Sequence, residues 1–326
     1  MMKEKDVKKY SKLKIACITI LTVSIILSAF FIYQSSTRKP QTFSFRAAIV
    51  DQLSGSFPNE DFIQTATNLL KNAGFKVEYY SYKHVTVNFY KQLLKENFGI
   101  IIFRVHSGMR SGENIVDFFT SEEIPDNDDL YRNERSLGYV VIGYIPLENK
   151  SYFAITPKLV SAEANLHNSI IIAMGCSSLR PGYESMAQAF ISKGAKAYIG
   201  WSNSVTVNHS DNETIRFLQL FLQNKTISEA TYACHPDPNI LGSKLRYYPP
   251  EAKQLTFSAL VADAKLSGQP SKLDITILAL TIILLLSLLQ STISGKPHLQ
   301  KTLFSLATLR FKHADSFSRT MFPNPI

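Results

Sequence analysis

The chain has 326 residues, with 35 Lys and Arg against 26 Asp and Glu, a formal net charge of +9, and only 3 Cys. The charge is not spread evenly. Residues 1–14 hold six Lys against Glu4 and Asp6, and residues 295–326 hold Lys296, Lys301, Arg310, Lys312 and Arg319 against Asp315, so each end carries +4 and +1 remains for everything between. A near-neutral middle excludes the basic face of a nucleic-acid-binding domain, and so few cysteines exclude a disulfide scaffold.

Mean hydropathy is −0.02, and the apolar excess is concentrated in two stretches. Residues 15–33 and 275–293 are each about 19 residues without a charge, the length that crosses a bilayer. The first is read as an uncleaved signal anchor rather than a signal peptide, having no clear small-residue cleavage site after it. The positive-inside rule then puts both termini in the cytoplasm and the middle outside. The resulting organisation is a basic N-terminus (1–14), a transmembrane helix (15–33), a linker (34–42), an extracytoplasmic α/β domain (43–250), a second linker (251–274), a second transmembrane helix (275–293) and a basic tail (294–326). The expected localisation is a two-pass membrane protein, with the lipid bilayer as one partner.

Within the central domain, Phe45–Asp51 reads as a strand. Asn59 is a candidate N-cap for a helix carrying Phe62, Ala66, Leu69, Leu70 and Ala73, which Gly74 stops. Lys76–Tyr80 is a second strand, and Phe89, Leu93 and Leu94 mark a second helix. Gly99–Gly108, GIIIFRVHSG, is a third strand ending on His106. This β-α-β-α-β run implies a parallel sheet. Met109–Asn168 interrupts it with an acidic loop, Glu122–Asp129, and then a β-hairpin, Tyr139–Ile145 and Tyr152–Ile155, about a polar turn at Glu148–Lys150. Ser169–Ser178, SIIIAMGCSS, is another doubly buried strand, ending at Cys176. Glu184–Lys193 follows as a helix, Lys196–Trp201 as a strand, Thr214–Leu222 and Ile227–Ala233 as helices, and His235–Pro250 as a loop.

Two parallel strands of nearly equal length, one ending in an imidazole and the other in a thiol, bring both groups to the carboxyl edge of a sheet, where α/β folds collect their chemistry. His106 is the candidate general base and Cys176 the candidate nucleophile. Cys176 is expected where a strand turns into a helix, whose N-terminus would lower its pKa. The alternatives are a structural cysteine or a disulfide to Cys234. His209 and the pair Cys234-His235 lack metal-ligand spacing, so no metal and no cofactor is expected. Asn149, Asn208, Asn212 and Asn224 each begin an N-x-S/T triplet.

An apolar strand ending in His followed by an apolar strand ending in Cys resembles the caspase-like (clan CD) cysteine peptidases, which include caspases, legumain, gingipain, separase and the CHAT domains. Met186–Phe190, Gly194–Trp201, Val205 to Asp211, Phe217 to Phe221 and Ile227–Ala230 are similar to the CHAT pattern that follows the cysteine, so the resemblance covers about Phe45–Ala233. It implies a caspase-like three-layer sandwich with a mostly parallel sheet and a β-hairpin insertion, flanked here by the two transmembrane helices. It also implies a peptidase, or a transpeptidase-like acyl transferase, acting on a peptide or protein substrate outside the membrane. His106 would be the base and Cys176 the nucleophile. The backbone N–H groups of Cys176 and of Ser107 or Gly108 would form the oxyanion hole. Asp211 would meet a basic side chain in the substrate pocket, where Trp201 is also a candidate. Two positions depart from the group: Ser107-Gly108 stands where many members have Gly directly after the His, and Gly175 stands where the group often has Ala. The other readings are a catalytically silent sensor or interaction module of the same fold, and an amidotransferase-like Cys hydrolase, in which His209 or His235 would serve.

Overall fold

The computed structural model describes residues 43–110, 112–125, 129–146 and 148–267. In chain order, β1 is Arg46–Asp51, followed by a 3-10 turn at Gln52–Gly55, α1 is Glu60–Asn72, β2 is Lys76–Ser81, α2 is Val87–Leu93 and β3 is Ile100–Arg104. Then come β4 (Ser107–Met109), β5 (Val116–Glu123), α3 (Arg132–Ser136), β6 (Val140–Ile145), β7 (Lys150–Ile155) and α4 (Pro157–Glu163). The remainder is β8 (Ser169–Ala173), α5 (Ser185–Ser192), β9 (Ala195–Trp201), α6 (Val207–Leu222), α7 (Ile227–Tyr232), β10 (Leu245–Tyr248) and α8 (Phe257–Ser267).

These elements form a six-stranded sheet of order β10-β9-β8-β3-β1-β2 and a four-stranded sheet of order β4-β5-β7-β6. The larger sheet is parallel except for β10, which runs antiparallel to β9. The isoleucine runs lie at its centre because every side chain there is covered. Ala47, Ile49, Ile100, Ile102, Ile170 and Ile172 point to one face, where Phe62, Ala66 and Leu70 of α1 and Phe217, Leu218 and Phe221 of α6 cover them. Ala48, Val50, Ile101, Phe103, Ile171 and Ala173 point to the other, under Leu93 of α2, Leu159 of α4 and Phe190 of α5. Strand side chains alternate between faces, so a continuous apolar run is stable only when both faces are packed.

Asn59 caps α1 as its position suggests, its side chain accepting from the Phe62 N–H, and Gly74 ends that helix at φ +92°. The hairpin is β6 and β7, but it does not stand alone. β5 and β4 extend it into an antiparallel sheet, and β5 starts before the stretch read as an acidic loop. β10 lies in the stretch read as loop, and α8 inside the stretch read as a linker.

The expected membrane architecture is corrected. Among the described residues no helix is long and apolar enough to cross a membrane. The longest, α6, has 16 residues and carries Asp211, Glu213 and Arg216, whereas a span needs about 20 predominantly apolar ones. The fold is α/β with a parallel-dominated sheet and an antiparallel one, and neither two flanking transmembrane helices nor a two-pass localisation with cytoplasmic termini is retained. The segments 15–33 and 275–293, on which those spans were placed, lie outside the described residues.

One ion cluster crosses the layers. Arg104, at the end of β3, is 1% exposed; its Nη1 donates to Asp51 Oδ1 at 2.7 Å, while its Nε and Nη2 reach Asp211 Oδ1 and Oδ2 at 2.8 and 2.9 Å. Removing one partner of a buried pair leaves the other charge uncompensated, at a cost of about 3–5 kcal/mol. Asp211→Ala is therefore expected to lower the urea-unfolding free energy by about that much, whereas Arg46→Ala, which breaks part-exposed pairs with Glu78 and Glu96, should cost under about 1 kcal/mol. Equal losses from the two substitutions would contradict the assignment.

Candidate functional site

β3 and β8 pair in parallel from Ile100↔Ile170 to Phe103↔Ala173. The Met174 N–H donates to the Phe103 carbonyl at 2.9 Å, which carries the pairing past the end of β8. His106 follows the end of β3 by two residues and Cys176 follows the end of β8 by three, on chains that lie about 4.8 Å apart while paired. Both residues line one cavity of about 300 Å³.

His106 sits where the chain leaves the parallel sheet and enters the antiparallel one. Its N–H donates to Gln52 Oε1 at 2.9 Å, and its carbonyl accepts from the Phe119 N–H at 3.0 Å. Its ring meets Phe57 and Phe119 edge-on, with centroids 6.2 and 6.4 Å away. Nε2 is buried without a hydrogen-bond partner, and lies 3.6 Å from Glu148 Oε1. Glu148 is held in turn by Ser56 Oγ at 2.5 Å and by the Tyr152 hydroxyl at 2.6 Å. Burial pulls the His106 pKa below its ordinary 6.5, and the Glu148 carboxylate partly opposes that shift. The imidazole is therefore neutral, and able to accept a proton, at neutral pH.

Cys176 lies on a tight turn, not at a helix start. The Ser178 N–H closes the turn onto the Gly175 carbonyl at 3.4 Å, with Ser177 at φ +56°, and α5 begins only at Ser185. The expected helix N-terminus beside the thiol is therefore absent, because β8 ends at Ala173 and a second anchoring system takes over. Ser178 Oγ donates to the Ala173 carbonyl at 2.8 Å and accepts from the Trp201 N–H at 2.9 Å, tying the turn to β8 and β9. Gly175 is dictated by close approach: a Cβ there would stand 2.3 Å from Ser107 Oγ and 2.6 Å from the Val105 carbonyl oxygen. That accounts for glycine where the resembling group often has alanine. Ser107 Oγ donates to the Cys176 carbonyl at 2.6 Å, binding the imidazole's neighbour to the thiol's own residue. The half-buried thiol is free, and its Sγ lies 3.5 Å from the Val205 nitrogen and 3.6 Å from the Val205 oxygen. Cys234 is also free, so the alternative disulfide is not formed. It is buried against the Glu213 and Ala230 carbonyls, and burial, with Glu213 adding to it, pushes its pKa up to about 12.

The two oxyanion-donor candidates after His106 are not equivalent. The Phe119-to-His106 bond and the Arg110 N–H to Ile115 carbonyl bond, at 2.9 Å, mark hydrogen-bonded pairs of the β4–β5 ladder. Such pairs alternate with unbonded ones, so Gly108, opposite Asp117, is bonded and Ser107, opposite Phe118, is not. The Gly108 N–H is committed to β5. The Ser107 N–H lies off the ladder on an edge strand.

Asp211 and Trp201 stand differently from their expected roles. Asp211 lines the cavity but is 2% exposed, with one oxygen bound by Arg104 Nε and the other shared by Arg104 Nη2 and Asn59 Nδ2. It has no open edge for a basic side chain, and it lies inside α6, which starts at Val207 rather than Thr214. Trp201 is fully buried, its Nε1 donating to Ser210 Oγ at 3.0 Å, and it is not part of the cavity wall. His209 and His235 are also outside that wall. His209 Nε2 contacts the His235 carbonyl, and His235 Nδ1 lies 3.1 Å from Glu213 Oε1, so neither supplies the second group of an amidotransferase-like site. Among the described residues no cluster of His, Cys, Asp and Glu could hold a metal ion.

Glu148, Gln52 and Arg104 went unrecognised in the sequence. Arg104 carried the one available signal, a lone charge inside an isoleucine strand, which must be paired. The chain matches no protein-family model and no curated protein.

Because His106 has a depressed pKa, the unfolded chain binds more protons than the folded one just below pH 6.5. Its contribution to stability is present above that pH and is lost as pH falls toward the folded pKa. Glu148→Gln removes the opposing charge, so the acid limb of Cys176 alkylation should move to lower pH than in the wild type. A limb that stays in place or moves up would exclude the Glu148–His106 coupling.

Proposed function

We propose that this chain is a cysteine hydrolase of the caspase-like kind, cleaving peptide bonds with His106 as base and Cys176 as nucleophile. The single observation that carries the reading is that His106 and Cys176, just beyond the carboxyl ends of the paired strands β3 and β8, line one cavity. His106 takes the Sγ proton, and the thiolate attacks the substrate carbonyl carbon. The N–H groups of Cys176 and Ser107 donate to the resulting oxyanion. As the C–N bond breaks, the imidazolium returns its proton to the leaving amine. Water, deprotonated by His106, then hydrolyses the thioester; an amine acceptor in its place would make the reaction a transpeptidation.

A silent scaffold is the second reading, and one observation favours it: the hydrogen-bond contacts of Sγ are with Val205, not with the imidazole. Catalytic contacts tighten on substrate binding, so the two readings separate in the reactivity of the thiol. With an electrophilic probe mapped to Cys176, His106→Ala should react slowly at neutral pH and recover partly at alkaline pH, where the thiol ionises unaided. Peptide turnover should fall about 10²–10⁴-fold in that variant and vanish in Cys176→Ala, with circular dichroism unchanged in both. Cys176 labelling that ignores His106 would establish the scaffold reading.

A further inference from the structure

Among the described residues, the wall of the Cys176 cavity holds no Lys or Arg and one carboxylate, Asp211, which is already used; Tyr144, a phenol, donates to Asn149 Oδ1. Leu53 and Phe57 come from the segment after β1, Met174 from the turn before the thiol, and Val205 and Val207 from the segment that opens α6. Together they make an apolar part of the cavity wall, in which the Val205 backbone contacts Sγ. Asp211 reaches the same wall, but Arg104 binds it through two nitrogens and Asn59 through a third. Arg104 Nη2 also donates to the Phe57 carbonyl at 2.9 Å, so the group that neutralises the carboxylate also braces the apolar wall. A Lys or Arg side chain entering here would shed its water against hydrocarbon and find Asp211 already paired. Glu148, the carboxylate beside His106, is not among the lining residues and is held by Ser56 and Tyr152, so the arrangement is unfavourable. An Asp or Glu side chain would find no free cation, since Arg104 is 1% exposed and fully engaged. A leucine- or phenylalanine-sized side chain gains by displacing water from the same surface.

We propose that the substrate of this site carries an apolar side chain at the residue whose carbonyl Cys176 attacks, with Leu53, Phe57, Met174, Val205 and Val207 as its pocket. This rests on the reading of Cys176 as the nucleophile. Discrimination between hydrophobic side chains differing by one methylene is worth about 10–200-fold, so the preference for apolar over basic residues should be at least about tenfold.

The test uses the full chain and four peptidyl acyloxymethyl ketones that differ only in the residue next to the ketone: Leu, Phe, Arg or Asp. Inactivation rates are read by peptide mapping of Cys176, with iodoacetamide as the reference electrophile. The proposal expects Leu or Phe to exceed Arg and Asp about tenfold or more relative to iodoacetamide. Val207→Asp, which adds a free carboxylate at the first residue of a helix where acids are tolerated, should raise the Arg rate relative to Leu. Faster reaction of the Arg or Asp ketone in the wild type, with iodoacetamide labelling still dependent on His106, would overturn the apolar pocket and leave the catalytic reading standing. If labelling proves independent of His106, the catalytic reading falls, and the pocket is judged by binding alone. Ligand-observed NMR on Cys176→Ala should then show N-acetyl leucinamide binding in preference to N-acetyl argininamide, and equal or reversed binding would overturn the proposal.

Discussion

The buried contact of Arg104 with Asp51 and Asp211 is the constraint on which the rest of the site depends. Two carboxylates, from the end of β1 and the second turn of α6, meet one guanidinium at the end of β3 where solvent is excluded. Burial raises the Asp51 pKa, and Arg104 holds it back. No member can leave without exposing the others to an apolar medium. The cluster therefore fixes α6 against the sheet at one position along its axis, and with it Val205 and Val207. Through the Phe57 carbonyl and Asn59 it also fixes the segment between β1 and α1. Two walls of the cavity are thus set by one guanidinium two residues before His106.

The second constraint is the junction of the two sheets. A parallel strand that simply ended would leave His106 in a loose loop. Here the chain passes within two residues from β3 into β4, so His106 is clamped from one side by Gln52 and from the other by Phe119. That clamp buries the ring, and burial depresses its pKa. The antiparallel sheet also delivers Glu148, at the turn between β6 and β7, to within 3.6 Å of the imidazole Nε2. Proton affinity is tuned by two opposed effects, desolvation and a neighbouring carboxylate. On the Cys176 side, Ser107 bridges to the carbonyl of the thiol's own residue, and Gly175 permits the approach.

How far the sequence disclosed this follows from what each residue must satisfy. The buried parallel strands were legible because a run such as IIIF or IIIA has no other stable environment, and the equal lengths of β3 and β8 implied the common edge. β5, VDFFTSEE, was missed although Val116, Phe118 and Thr120 alternate inward, because Asp117 and the acidic end disguise it; Asp117 is in fact buried and paired with Arg110. β10 was hidden by the prolines around it, its four residues pairing only with β9. The start of α6 was misplaced by a turn or more because Asn208, His209, Ser210 and Asp211 are weak helix formers. Tertiary contacts overrode that preference, turning a supposed pocket carboxylate into a buried ion-pair partner. Trp201 and Asp211 show the same thing: a polar or aromatic residue near a strand end reads as a site until its partners are known. The apolar segments 15–33 and 275–293 meet a length criterion for spanning in the sequence but lie outside the described residues, among which no helix is long and apolar enough to cross a membrane.

The central claim is that His106 and Cys176 are close enough to share a proton. Groups that interact strongly titrate as a pair rather than independently. The most direct measurement is an NMR titration of the His106 ring in the wild type and in Cys176→Ala. The account predicts that His106 titrates differently when the thiol is removed, because a neighbouring thiolate stabilises the imidazolium and couples the two protonation steps. Superimposable His106 titration curves in the two proteins would contradict it.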